Sequence, residues 1–137
     1  MSRTSKTARN AAVLLLRLWL GLNFALGHGL RKLLDPEAFL SAPAVQRFPL
    51  PTVSGWLAIL VEFVAGLCLV VGFGTRMASG SLLAVMLGAA FVAHSGQPWV
   101  EREFALTYAV LCLFFLLHGP GSTSLDARIE YRRRQPW

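Results

Sequence analysis

Proline is missing from every long apolar run of this chain. All seven prolines, Pro36, Pro43, Pro49, Pro51, Pro98, Pro120 and Pro136, fall between the runs or in the tail, so each run reads as an uninterrupted helix. Cysteine is nearly missing as well. Cys68 and Cys112 lie within runs, at different depths and without a CxxC spacing, which excludes a disulfide framework and leaves two inert core thiols. Only 15% of residues are charged, too few for an ordinary soluble surface. There is no haem-ligation pattern, nucleotide-binding loop, low-complexity segment or clear repeat, and so no self-sufficient catalytic motif. His28 and His94 lack a third ligand at a recognisable spacing, and no metal is expected.

What the chain does have is apolar length. Four stretches, roughly 11–30, 53–73, 77–95 and 104–118, occupy most of its 137 residues, 55% of which are hydrophobic. A bilayer core needs about 20 helical residues. The first three fit, and the fourth is short unless Glu103 and Gly119 lie at the interfaces. The expectation is an all-α transmembrane four-helix bundle filling one domain, 1–137, in a bacterial plasma membrane. The first stretch is read as retained, because Arg17 interrupts what would otherwise be a signal-peptide core.

The formal charge of +6 is unevenly shared between the two sides. Arg3, Lys6, Arg9, Arg76, Arg128, Arg132, Arg133 and Arg134 fall on one side of an even-span topology, against Arg31, Lys32, Arg47 and Arg102 on the other. The positive-inside rule then puts both termini, and the basic tail 123–137, in the cytoplasm. The arginine run reads as attraction to anionic lipid headgroups, and nucleic acid is not an expected partner. Trp56, Trp99 and Trp137 suit the membrane interfaces.

Between the runs, Asp35-Pro36-Glu37 has the form of a helix start and predicts a short interfacial helix through Phe39 and Leu40. Gly72-Phe73-Gly74-Thr75 is a tight turn that makes its flanking spans antiparallel neighbours. Gly119-Pro120-Gly121 stops the fourth span, and Thr123 to Asp126 has capping-box spacing ahead of a short helix. Gly80, Ala84 and Gly88 predict a helix-contact seam, and Gly55, Ile59, Glu62 and Gly66 share a face that turns Glu62 inward.

Arg17, Gly21, Phe24, His28 and Arg31 are spaced 4, 3, 4 and 3, forming a polar stripe on the first helix. A charge at membrane depth costs at least about 2.5 to 3.5 kcal/mol, so Arg17 and Glu62 are expected to pair. Such a pair serves either helix register or chemistry. At the outer end His28, Arg31, Lys32, His94, Glu101 and Glu103 form either a solvated charge cluster or a site for a polar headgroup or quinone carbonyl. The candidate site residues are therefore Arg17, Phe24, His28, Arg31, Lys32, Glu62, His94 and Glu103.

The chain is similar to the DoxX family of small four-helix membrane proteins. The residues that carry the likeness are Leu15-Leu16-Arg17 with Gly21, Gly29 with Lys32, and Glu62 with Gly66. Gly72-Phe73-Gly74-Thr75-Arg76, Glu103, Gly119-Pro120-Gly121 and Ser124-Leu125-Asp126 complete it, from Leu14 to Asp126. The resemblance implies a subunit of a quinone-linked oxidoreductase, or a membrane partner of thiol-handling and oxidative-stress enzymes. A quinone as cofactor, a redox partner protein and a homo-oligomer are the associated expectations. The alternatives are a non-catalytic anchor or recruiting scaffold, and a small-solute transporter.

Overall fold

The first and fourth apolar runs become helices longer than their hydrophobic centres, because flanking polar residues continue the hydrogen-bond ladder, whereas the second and third keep their length and shift by two residues. A computed structural model describes residues 3–134, so the expectations for Pro136 and Trp137 lie outside the described residues. α1 (Arg3–Leu22), a π-helical stretch (Asn23–Leu30) and α2 (Arg31–Leu34) form one rod. α3 (Pro36–Leu40) follows, with Asp35 accepting a bond from the Ala38 amide, as its sequence predicts. α4 (Pro51–Val71), α5 (Thr75–Gly88) with a π-helical extension (Ala89–Ala93), α6 (Trp99–His118) and α7 (Leu125–Arg133) complete the chain.

Among the described residues, three helices are long and apolar enough to cross a membrane: Thr4–Leu34, Pro51–Val71 and Thr75–Ala93. α6 has 20 residues but opens with Glu101, Arg102 and Glu103, and it lies mainly along α5. Leu20, Ile59, Leu69, Leu82, Cys112 and Phe115 are fully buried where the helices meet. The outer surface carries Leu15, Trp19, Val64, Met77, Phe91, Val110 and Leu117, an apolar exterior that water would not tolerate and lipid would.

Without a hydrophobic drive between helices in lipid, close packing depends on small residues. The tightest crossing joins the first rod to α4. A Cβ on Gly29 would lie 2.5 Å from the Phe63 amide nitrogen, and one on Gly66 would lie 2.5 Å from that of Ala25. The Gly72-to-Thr75 turn is tight as expected, with φ of 71° at Gly72 and 54° at Gly74.

The predicted seam on α5 is displaced. Thr75, Ala78, Ser79, Leu82 and Met86 form its buried face, while Ala84 is exposed and Gly88 faces the Phe48 ring. The proline-free rods are continuous but not uniformly α-helical. Gly27 and Gly29 weaken the preference for the tighter winding, and the wider turn sets Gly29 against the α4 backbone.

Candidate functional site

The antiparallel register of the first rod and α4 decides where the buried charges, Arg17 and Glu62, come to lie. Gly29 lies beside Phe63, Ala25 beside Gly66, Gly21 beside Val70 and Arg17 beside Gly72. Arg17 is therefore some ten residues along α4 from Glu62, about 15 Å at 1.5 Å per residue. The expected Arg17–Glu62 pair does not form.

Glu62 pairs with Lys32 instead. The Lys32 Nζ donates to Oε1 at 2.7 Å and Oε2 at 2.6 Å, and Glu62 is 2% exposed against 22% for Lys32. The same Nζ lies 4.4 Å from the centroid of the Phe39 ring on α3. The Asp35 cap and Pro36 start α3 where the chain leaves the rod, and that reversal holds Phe39 over the ion pair.

This pair lines one end of a cavity of about 370 Å³. Phe39, Val45 and Phe48 of the long connection, Gly55 and Ala58 of α4, Ala84 and Gly88 of α5, and His94 just past its π-helical extension surround it. His94 is held by a 2.8 Å bond between its Nδ1 and the Gln97 side chain. The expected outer cluster is thus divided. Lys32 and His94 share the cavity, whereas Arg31, Glu101 and Glu103 are exposed. His28 turns to α6, its ring 5.8 Å from Tyr108 and 6.2 Å from Phe104, with Phe24 5.2 Å from Tyr108. The wide winding of Asn23–Leu30 sends Phe24 and His28 toward α6 while Gly21, Ala25 and Gly29 meet α4.

Arg17, 1% exposed, lies at the opposite end of the first rod's contact with α4, beside Gly72. Its guanidinium donates to the carbonyls of Pro120 and, at 3.3 Å, Thr123, tying the first rod to the segment after α6. Asp126 accepts from the amides of Gly74 at 2.8 Å and Thr75 at 3.0 Å, so it caps α5 from outside. The local cap of α7 is Ser124, accepting from Ala127 at 3.1 Å, rather than the Thr123-to-Asp126 box. Thr75 Oγ1, Ser79 Oγ and Arg17 Nε are buried without a hydrogen-bond partner among the described residues. Sequence reading missed the role of Asp126, which only the nearby glycine turn could have suggested.

Asp126→Asn should weaken this junction, since a hydrogen bond to a charged acceptor contributes about 1.5 to 3 kcal/mol. The expected outcome is faster tryptic cleavage after Arg128 in detergent, with the rest of the chain retained. Unchanged cleavage would remove Asp126 from the junction.

A helical interior holding the Lys32–Glu62 ion pair, wrapped in an apolar exterior with three candidate spans among the described residues, defines a small polytopic membrane protein. The chain belongs to the DoxX family, whose model matches residues 12–95. It is also 31% identical to an uncharacterized membrane protein of Mycobacterium tuberculosis, over 88% of this chain and 83% of that one. No solved structure matches it.

Proposed function

We propose that this protein is an oxidoreductase-associated membrane subunit that holds a quinone, or a similarly small substrate, in the Lys32–Glu62 cavity. In this reading α6 is the fourth member of a transmembrane bundle in a bacterial plasma membrane. Both termini lie in the cytoplasm, on the side that takes eight of the 13 lysines and arginines.

The cavity carries the reading. Its volume of about 370 Å³ suits a small ring, and its walls are apolar apart from a few polar groups, as small-molecule sites tend to be. Lys32 has three donors and Glu62 has two acceptor oxygens, so one donor remains on the Phe39 side for a carbonyl oxygen. Phe39 and Phe48 provide flat apolar contacts for a ring. When bound, a quinone supplies the electron acceptor, and a partner protein delivers the electrons.

The test is quenching of tryptophan fluorescence by menadione in nanodiscs. Ala84→Phe, at an exposed position on the α5 wall of the cavity, narrows it from a helix that carries neither charge of the ion pair and should weaken binding about tenfold or more, equivalent to about 1.4 kcal/mol, with little change in melting temperature. Binding that survives this change would overturn the reading.

A second reading, a non-catalytic anchor for a partner enzyme, draws on the Arg17 and Asp126 junction, which fixes basic α7 to the bundle. A co-purifying soluble enzyme without bound quinone would favour it. Transport has the least support, because Leu20, Leu69, Leu82 and Phe115, all fully buried, separate the two charged ends.

A further inference from the structure

The cavity is not the only depression between α4 and α5. A second one, an apolar groove of about 520 Å³, runs from Leu60 and Ser81 to Phe73 and Met77. Both belong to one seam. Along α4, Ala58 borders the cavity, and Val61, Ala65 and Cys68 follow at spacings of 3, 4 and 3. On α5, Ser81 borders the groove and Val85, four residues on, borders the cavity. One helical face on each side thus links the ion pair to the turn at Gly74.

The groove has no polar demand of its own. Its single hydroxyl, on Ser81, already donates to the Ala78 carbonyl at 2.9 Å. Leu57 and Ala84 on the cavity rim are exposed, as are Val64 and Met77 along the groove, so both depressions open on the lipid-facing surface. The fourteen residues from Leu60 to Phe73 extend about 20 Å, the length of a hydrocarbon chain of some four isoprene units.

We propose that the ligand is a long-chain amphiphile with a neutral, carbonyl-bearing head. It enters sideways from the bilayer, sets its head against Lys32 and lays its tail in the α4–α5 groove toward Gly74. The proposal rests on the cavity being a ligand site and adds the class of ligand and its path. Neutrality follows from the ion pair: Glu62 already balances Lys32, and an anionic phosphate head would bring an uncompensated charge into a buried place. Lipid is as apolar as the groove, so the tail gains by packing contacts rather than by leaving water.

The experiment compares menaquinone-4 with its tail-less parent, menadione, in nanodiscs. Menaquinone-4 should bind the unaltered protein about tenfold more tightly. Ser81→Phe blocks the groove at the end next to the cavity and should bring menaquinone-4 to the affinity of menadione, leaving menadione unchanged. Met77→Trp, at a site 83% exposed and outside the packed core, should reduce the tail's advantage without affecting folding. An advantage that survives both changes overturns the tail path, even if menadione still binds. If menadione fails to bind but menaquinone-4 binds and responds to Ser81→Phe, the groove stands and the quinone-head reading falls. Retention of phosphatidylglycerol in native mass spectra, with no binding of either quinone, overturns the neutral head.

Discussion

Lys32→Met is expected to lower the stability of the purified protein by about 3 to 5 kcal/mol, the cost of leaving a buried charge without its partner. Glu62 is 2% exposed and has no other cation within hydrogen-bonding distance among the described residues. The reverse change should cost less. After Glu62→Gln, the lysine remains 22% exposed and can turn its ammonium toward water while its stem stays packed on Phe39. The double change to Met at both positions should recover most of the loss, because an apolar pair of similar volume often replaces a buried ion pair without penalty. Arg17→Gln, at the other end of the molecule, should add to either single change. Thermal unfolding followed by circular dichroism would read these variants together with the single Glu62→Met, and simple additivity of Lys32→Met with Glu62→Met would contradict the pairing.

The second large effect belongs to the helix crossing. Gly66→Ala and Gly29→Ala each place a methyl group 2.5 Å from a backbone nitrogen of the facing helix, and no side-chain rotation relieves that. The helices must separate along their whole contact, so the loss should reach the upper part of the overpacking range, about 3 kcal/mol or more. Gly80→Ala is the matched control. Its new methyl would meet only the end of Leu116 at 3.6 Å, an ordinary contact, and better helix propensity should leave stability equal or higher by up to about 1 kcal/mol. Equal losses at positions 66 and 80 would show that the close crossing is not what holds the helices together.

The helices and their inward faces were legible because a 3.6-residue period and proline placement are local properties. Gly55, Ile59, Glu62 and Gly66 are indeed buried together on α4. The pairing of charges was not legible, because it depends on how far one helix slides past another. Depth counted from the ends of apolar runs put Arg17 near Glu62, whereas the first rod extends four residues past its apolar run, to Leu34, and slides Lys32 into that place. Gly21, Ala25 and Gly29, three small residues at four-residue spacing opposite Gly66, held the register. The polar stripe drew attention to the neighbouring face instead. Phe24 and His28 do lie together, but against Tyr108, whose place on α6 no local pattern announces. The cavity depends on Phe39, Val45 and Phe48 folding back from an irregular connection, and nothing in the helical periodicity encodes that.

The π-helical stretch makes the Lys32–Glu62 bond a matter of winding. Each residue of an α-helix turns the chain by about 100°, and each residue of the wider helix, closed by bonds one residue longer, turns it by less. Tightening the eight residues Asn23–Leu30 to an α-helix, with none removed, would therefore rotate the far end of the first rod relative to its beginning. Lys32 would then leave Glu62 and Gly29 would leave Phe63, with every side chain unchanged in identity. In this protein a change that tightens those eight residues is equivalent to mutating the ion pair.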